Sequence, residues 1–209
     1  MFLKNEKCTI RNWRESDAEA LARYANNEKI EMNLRDGFPS PYTLEDAQLF
    51  INTVSSSDPV TIFAIEINEE AVGSIGFFPK ENIYRYNAEI GYWLAEPYWG
   101  QGIIPSVLET ICEYIFETTK LTRIYAEVFG KNKASARALE KAGFTKAVSY
   151  THLRAHETVL DLVCRLLLEK KKKKKENHVY RQNNTRNHTR ERPITYTHST
   201  EQQQRQHAT

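Results

Sequence analysis

Two features of this sequence could carry chemistry, and they lie close together in the chain. The first is Glu89, a carboxylate within the apolar run Ala88-Glu-Ile-Gly-Tyr-Trp-Leu94. A carboxylate in such a run can act as a general base, accepting a proton directly or through a water molecule. The second is the pair Gly100 and Gly102, which stand one residue apart before a helical pattern. Glycines at this spacing allow a tight turn and a close approach of the main chain to a ligand.

The residues after the glycine pair predict a helix whose start could bind phosphate. Apolar residues recur at helical spacing from Ile103 to Phe116, which is typical of an amphipathic helix. The first N–H groups of a helix lack partners within the helix, and the helix dipole adds partial positive charge there. Phosphate groups bind at such positions without a lysine. The same pattern also fits an ordinary turn, with Pro105 in the first turn of the helix.

The elements around these residues predict one α+β domain with a mixed sheet. Apolar, β-rich runs predict strands over 8–10, 60–67, 72–78, 88–94 and 121–128. Helices are expected to begin at the capping box formed by Ser16 and Glu19, at Thr43, near Gly102 and at Asn132. A strand, a long helix and a further strand predict a right-handed crossover between parallel strands.

Three longer motifs extend the pattern over about residues 8–147. The first joins the run 88–94 to Tyr98-Trp-Gly-Gln-Gly-Ile103, and the second is an Asn132-led helix that closes on Gly143-Phe144. The third is the opening over 10–17 together with Phe38-Pro-Ser-Pro-Tyr42. In this order the motifs resemble the signatures of the GNAT N-acetyltransferase superfamily. The opening resembles its ribosomal-protein-alanine N-acetyltransferase branch, the RimJ/RimL-like proteins.

The resemblance implies an N-acetyltransferase with acetyl-CoA as cosubstrate and no metal. The acetyl group would pass to a primary amine, either a protein N-terminus or a small-molecule amine, by direct transfer in a ternary complex. A splayed pair of parallel strands would leave a slot for the pantetheine arm. The residues whose main-chain groups would contact acetyl-CoA are Tyr92, Trp93, Leu94, Gln101, Gly102, Ile103 and Ile104. Asn132 would contact the arm as well, although an N-cap role for it is equally open.

The resemblance also assigns the catalytic groups. Glu89 would accept the proton of the amine, with Glu127 on the following strand as its competitor. Ser135 would face the slot and could hydrogen-bond the sulfur of CoA. Because Leu139 stands where many relatives have a tyrosine acid, Ser135 or water would protonate the thiolate. Cys112 lies on the apolar stripe of the long helix and is interpreted as a packing residue rather than a nucleophile.

The composition of the chain changes near Ala147. Residues 1–147 contain all 8 Gly, all 9 Phe and all 3 Trp, and they carry 16 Lys and Arg against 21 Asp and Glu. Residues 148–209 contain all 6 His and carry 13 basic against 6 acidic residues. The formal net charge of +2 is therefore a sum over two unlike parts and predicts neither an acidic nor a basic partner.

The second part is interpreted as foreign to the domain. The residues up to Glu169 resemble a translated sequencing adapter, and the following lysines resemble a translated poly-A run. We therefore interpret 148–175 as adapter-derived and 176–209 as a disordered, non-native tail without apolar period. The acetyltransferase domain would be 1–147, truncated at its C-terminus, with the closing strands of the sheet missing and an exposed sheet edge.

Other function classes are less favoured by the sequence. The absence of an 18-residue apolar run or a signal peptide predicts a cytoplasmic protein without a membrane partner. The lysine run 170–175 could suggest a nucleic-acid arm, but no specific nucleic acid is expected, and a homodimer stays open. The alternatives to an active enzyme are a non-catalytic acyl-CoA-binding module of the same fold and a truncated, inactive gene product.

Overall fold

The fold is built from one mixed sheet with helices on both faces. The computed structural model of the chain describes residues 2–152 and 161–169, all within a unit that spans 1–171. The strands are β1 (Phe2–Lys4), β2 (Thr9–Arg11), β3 (Ile62–Ile67), β4 (Glu70–Pro79), β5 (Asn87–Leu94), β6 (Arg123–Phe129), β7 (Thr145–His152) and β8 (Asp161–Glu169). The helices are α1 (Ala18–Ala25), α2 (Glu28–Glu31), α3 (Leu44–Ser55), α4 (Ile103–Thr118) and α5 (Lys133–Lys141).

The order of the strands confirms the predicted α+β class. The sheet runs β1-β2-β3-β4-β5-β6-β8-β7. The β5–β6 pair is parallel, and every other neighbouring pair is antiparallel. The long helix α4 connects the two parallel strands, which is the crossover that the sequence predicts. No helix within the described ranges has both the length and the apolar character that crossing a membrane requires.

The parallel strands β5 and β6 separate after a short paired stretch. Their register joins Asn87 to Arg123, Ala88 to Ile124 and Glu89 to Tyr125. Beyond this point β5 continues along β4 as far as Leu94, while β6 continues along β8. A gap therefore opens between the two strands, and Glu89 lies at its closed end. We call it the β5–β6 gap.

Two apolar clusters hold the helices on opposite faces of the sheet. On one face α4 packs through Val107, Leu108 and Ile111, all fully buried. On the other face α1 and α3 pack around Trp13 and reach the sheet at Ala64 and Ala71. Alternate residues of β5 face opposite sides of the sheet. Tyr92 thus packs on the α4 side, whereas Trp93 packs on the α1–α3 side.

The predicted start of the first helix is wrong in its capping residues. α1 begins at Ala18, after a turn of 3-10 helix over Glu15–Asp17. The Asp17 carboxylate, rather than Ser16 and Glu19, accepts the N–H of Arg14 at 2.8 Å. The guanidinium of Arg11 fixes this carboxylate through bonds of 2.7 and 2.8 Å. A local sequence pattern contains no information about this buried cation.

The predicted start of α3 is confirmed. The Thr43 hydroxyl accepts the N–H of Asp46 at 3.2 Å, and the Asp46 carboxylate accepts the N–H of Thr43 at 2.9 Å. This reciprocal pair is a capping box, which satisfies two N–H groups that the helix leaves without partners.

The expectation that the closing strands are missing differs from the structure. β8 lies antiparallel to β6, and β7 lies antiparallel to β8 at the edge of the sheet. The sequence of β8 is an apolar run, and strand pairing needs only main-chain groups, so a segment unrelated to the family pattern can still complete the ladder. The boundary proposed near Ala147 falls within β7, where the pairing shifts register between Lys146 and Val148. The proposed tail over 176–209 lies outside the described residues.

Candidate active site

Glu89 is a buried carboxylate held between two cations. The residue is 9% exposed. Its Oε2 accepts a bond of 2.9 Å from Lys80 Nζ, and its Oε1 is bonded to Arg35 Nη2. Lys80 directly follows β4. Its ammonium lies 5.7 Å from the centre of the Tyr125 ring. The hydrogen bond to Glu89 raises the pKa of Lys80 above its ordinary value, so this cation stays charged around neutral pH.

Arg35 reaches Glu89 from the surface. Its side chain is 73% exposed, whereas the side chain of Glu89 is 11% exposed. The same guanidinium lies 3.9 Å from Glu127 Oε2 on β6. We call Arg35, Lys80, Glu89 and Glu127 the Glu89 cluster. Arg35 is mostly in water, and Lys80 remains bonded to Glu89 when Arg35 leaves, so displacing Arg35 does not leave the buried carboxylate without a cation.

The turn between β5 and α4 has the form that the glycines predict. Gly100 and Gly102 have positive φ angles of 75° and 71°, and Gly102 is the N-cap of α4. Because glycine has no side chain, no side-chain cap satisfies the first N–H groups of α4. Those of Ile103 and Ile104 are therefore available to a ligand, while Pro105 has no N–H.

Lys7 adds a positive charge to this turn. It lies in the connection between β1 and β2, and its Nζ donates to the carbonyl oxygen of Gln101 at 2.6 Å. The turn thus combines a helix start with an ammonium group, both of which favour a phosphate. Lys7 could not be predicted from the sequence, because a single lysine in a short connection gives no signal of a partner 94 residues away.

Hydrogen bonds to the neighbouring segments fix the turn. The indole N–H of Trp99 donates to the carbonyl oxygen of Leu94 at 2.6 Å, and the Gln101 side chain donates to the carbonyl oxygen of Pro97 at 2.9 Å. The carboxylate of Glu96 accepts from Asn27 at 2.9 Å and is paired with Lys29. These contacts connect the turn to the segment between α1 and α2.

The register of β5 shows which main-chain groups face the β5–β6 gap. Ala95 N–H donates to the carbonyl oxygen of Val72 at 2.8 Å. In an antiparallel ladder every second residue bonds to the same neighbour, so the groups of Trp93 face β4. Those of Tyr92 and Leu94 face the gap. The main-chain groups of Trp93 thus pair with β4, and its predicted contact with acetyl-CoA stays a prediction.

The start of α5 forms the other wall of the gap. Asn132 is its N-cap, and Asn132 Oδ1 accepts the N–H of Ser135 at 3.0 Å. Ser135 Oγ lies 2.7 Å from the phenol oxygen of Tyr92. The N-cap reading of Asn132 is thus confirmed, and its side-chain amide can still donate to a ligand. Burial raises the pKa of Tyr92 to about 12.

Leu139, at the position of the tyrosine acid in many relatives, and Cys112, weighed as packing residue or nucleophile, both belong to the core. Leu139 is completely buried, and Cys112 is 2% exposed on the apolar face of α4. Burial raises the pKa of Cys112 to about 12. Because the thiolate is the reactive form of cysteine, burial and the raised pKa both support the interpretation of Cys112 as a packing residue.

The loop before α3 lies on the same face of the sheet as Glu89. Phe38 and Tyr42 pack together with ring centres 4.9 Å apart. Tyr42 is buried, and its N–H donates to Asn26 Oδ1 at 3.3 Å. The loop that carries Arg35 is therefore anchored at its C-terminal end by an aromatic contact and by the end of α1.

Several known proteins are similar to this chain in sequence. The family described as acetyltransferase (GNAT) domain matches residues 7–145. The uncharacterized N-acetyltransferase p20 of Bacillus licheniformis is 30% identical over 150 residues, which cover 69% of this chain and 82% of the relative.

Two solved structures have the same fold. A GNAT-family acetyltransferase from Bacillus anthracis superposes with a TM-score of 0.68 at 23% identity, over 81% of this chain and 98% of its own. RimL, the ribosomal L7/L12 α-N-protein acetyltransferase in complex with coenzyme A, gives a TM-score of 0.70 at 19% identity, over 81% and 98% of the two chains. These TM-scores show a common fold, and at identities below 25% they show the fold alone.

Proposed function

This chain belongs to the GNAT acetyltransferase family and is an acetyl-CoA-dependent N-acetyltransferase. We propose that it transfers the acetyl group directly to a primary amine that enters beside Glu89. The observation that carries the proposal is a buried carboxylate at the closed end of the β5–β6 gap, where the two parallel strands separate. A group in this position lies between a ligand in the gap and the α1–α3 face of the sheet.

Residues on both sides of the gap fit acetyl-CoA, which supplies the acetyl group as an activated thioester. The uncapped N–H groups at the turn would hold the pyrophosphate, and the adjacent ammonium of Lys7 would add charge attraction. The gap-facing main-chain groups and the side-chain amide of Asn132 would hold the pantetheine arm. The proposed contacts are Lys7, Tyr92, Leu94, Gln101, Gly102, Ile103, Ile104 and Asn132.

Glu89 is the proposed general base. The amine reacts only as the neutral form, so a carboxylate must take its proton, directly or through water. Both oxygens of Glu89 are engaged by cations, and one cation has to leave before the carboxylate can accept a proton. Arg35 is the mostly exposed one. We infer that the incoming ammonium displaces Arg35, gives its proton to Glu89, and then lies next to the thioester.

Ser135 is the proposed proton donor to the leaving thiolate. Its hydroxyl lies at the first turn of α5, on the wall of the gap opposite β5. The Ser135 N–H donates to Asn132 Oδ1, and this N-cap bond fixes the main chain of Ser135. The hydroxyl therefore needs little reorganisation during the reaction. Leu139 lies one turn further along α5 and has no proton to donate.

The surface beside Glu89 favours an acceptor with an apolar body, such as a polypeptide N-terminus. Phe78 pairs with Glu89 across β4 and β5, so both side chains lie on the same face, and Phe78 is 42% exposed. The connection that follows β4 exposes Ile83, Tyr84 and Tyr86. Peptide side chains could pack on these groups while the terminal amine enters the Glu89 cluster.

A panel of amines tests the proposal on the 209-residue chain. The panel contains short peptides that begin with alanine or serine, the same peptides with a blocked N-terminus, a polyamine and an aminoglycoside. We expect CoA release and a mass increase of one acetyl group with unblocked peptides. Binding of acetyl-CoA without turnover of any amine would favour the non-catalytic module instead.

Substitution of the two turn glycines tests the pyrophosphate contact. Both have positive φ angles, so alanine costs about 1–2 kcal/mol of strain at either site. A Cβ at Gly102 would also lie 2.9 Å from Lys7 Nζ, whereas a Cβ at Gly100 meets nothing within 4 Å. We expect Gly102→Ala to weaken acetyl-CoA binding by about tenfold more than Gly100→Ala in calorimetry, because it displaces Lys7 and changes the helix start.

The comparison between the two glycines decides how this result is understood. Equal losses of affinity in Gly100→Ala and Gly102→Ala would mean that strain in the turn matters and Lys7 does not. Unchanged affinity in both variants would contradict the assignment of this turn to the pyrophosphate.

A further inference from the structure

The phenol of Tyr92 connects the two walls of the β5–β6 gap. Tyr92 belongs to β5, and its Oη lies 2.7 Å from Ser135 Oγ and 3.3 Å from the Ser135 carbonyl oxygen, both in the first turn of α5. The contact spans 43 residues of sequence. The hydroxyl of the proposed proton donor is therefore not isolated in the gap, because it has a second hydroxyl as its immediate neighbour.

We propose that Tyr92 is a positioning residue that donates its hydrogen bond to Ser135 Oγ, directs the Ser135 O–H toward the sulfur of CoA and restores its proton during turnover. This inference rests on the proposed function, since it deepens the role of Ser135. A hydroxyl that accepts a bond from a fixed donor must direct its own proton elsewhere. With Tyr92 on one side, the remaining direction for that proton is the gap.

The geometry allows either hydroxyl to donate in the 2.7 Å contact, and the Tyr92 O–H also faces the Ser135 carbonyl oxygen at 3.3 Å; the proposal assigns the Tyr92 proton to Ser135 Oγ. Burial keeps the Tyr92 phenol protonated, with its pKa raised to about 12, so it remains a donor through the physiological pH range. The N–H of Ser135 is held by Asn132 Oδ1 at 3.0 Å, and the main chain of Tyr92 is held by the β4–β5 ladder. The two hydroxyls are thus fixed from opposite walls before any ligand enters.

The proton transfers balance over one turnover. As the carbon–sulfur bond breaks, sulfur keeps the electron pair and takes the proton of Ser135 Oγ. Ser135 Oγ takes the proton of Tyr92 Oη, and the resulting phenolate recovers a proton from water. The ammonium gives one proton to Glu89 before its nitrogen bonds to the thioester carbon, and the nitrogen loses a second proton to water as the amide forms. Glu89 then releases its proton to water, so one proton is released in net and the protein returns to its starting state.

Binding of two cofactor analogues tests the inference without any acceptor. Calorimetry on the full chain compares CoA with desulfo-CoA, which lacks the sulfur atom. We expect the wild-type chain to bind CoA more tightly, and Tyr92→Phe to reduce that preference about threefold to tenfold, the effect of one hydrogen bond. Affinity for desulfo-CoA should not change. Ser135→Ala should remove the preference, and adding Tyr92→Phe to it should remove nothing more.

Kinetics provide a second measurement in the same variants. Tyr92→Phe should lower kcat for acetyl transfer by about 10- to 100-fold with the KM for acetyl-CoA unchanged, since the lost interaction belongs to the leaving-group step. Tyr114→Phe is the matched control, because Tyr114 is a partly buried tyrosine on α4 away from the gap. It should retain both the CoA preference and kcat.

Three outcomes would overturn the inference. The first is a Tyr92→Phe variant that keeps the preference for CoA, and the second is one that loses CoA and desulfo-CoA affinity equally, which indicates a purely structural role. The third is an additive loss in the double variant. A wild-type chain that binds CoA but acetylates no amine would contradict the proposed function alone, and the analogue binding would still decide the role of Tyr92.

Discussion

Glu89→Gln should lower kcat by about 100- to 10,000-fold, the range in which general bases contribute, while the affinity for acetyl-CoA stays within about twofold of the wild type. Glutamine has the size of glutamate and keeps one oxygen that can accept the bond from Lys80, which lies at 2.9 Å, but its amide cannot take up a proton. Steady-state kinetics with an active amine from the panel, together with calorimetry for acetyl-CoA, measure the two quantities.

Glu127→Gln is the matched control for this prediction. Glu127 belongs to the same cluster, and its carboxylate lies 3.9 Å from the Arg35 guanidinium, but its side chain is 32% exposed against 11% for Glu89. We expect the control to lose no more than about tenfold in kcat, because it changes only the electrostatic surroundings of the base. If Glu127→Gln loses more activity than Glu89→Gln, the roles of the two carboxylates are reversed.

The parts of the fold that sequence reasoning predicted are those with local signals. Glycines with positive φ, the capping box at Thr43 and the N-cap at Asn132 are each defined within a few residues of chain. Apolar periodicity located α4 and β5 in the same way. Since these elements border the β5–β6 gap, the position of the candidate site could also be predicted from the sequence.

The contacts that complete the site could not be predicted, because they join distant segments. Lys7 meets Gln101 across 94 residues, Arg35 meets Glu89 across 54, and Tyr92 meets Ser135 across 43. A charged or hydroxyl side chain carries no pattern that identifies its partner. The family resemblance therefore indicated Glu89 and Ser135 as reactive groups, but neither it nor the residue pattern indicated the cations and the phenol that surround them.

Two errors in the predicted fold have the same origin. The capping box at Ser16 satisfies the local rule, yet the Asp17 carboxylate is held by Arg11 and controls the start of α1. The strands β7 and β8 were expected to be missing because their sequence departs from the family pattern. They pair nevertheless, since β6 presents a free strand edge that an apolar segment can join through its main chain.

Arg11→Ala should lower the free energy of unfolding by about 3–5 kcal/mol, the usual cost of breaking a buried ion pair. Arg11 is 2% exposed and joins two carboxylates, Asp17 at 2.7 Å and Glu66 of β3. Burial by itself would lower the pKa of Arg11, but its bonds to the two carboxylates raise it above the ordinary value, so the guanidinium stays charged. Its removal leaves two poorly hydrated carboxylates next to each other, with only the exposed guanidinium of Arg14, 3.5 Å from Glu66, as a remaining partner.

Urea unfolding of Arg11→Ala and Arg123→Ala separates this effect from the general loss of an arginine. Arg123 pairs with Glu169 at 2.6 Å, but both side chains are about half exposed, at 46% and 62%, so the control should cost no more than about 1 kcal/mol. Adding Asp17→Asn and Glu66→Gln to Arg11→Ala should recover part of the lost stability, because the destabilisation then comes from unpaired carboxylates. Equal losses in the two single variants, or a further loss in the triple variant, would show that the Arg11 network does not hold β2, β3 and the start of α1 together through its charges.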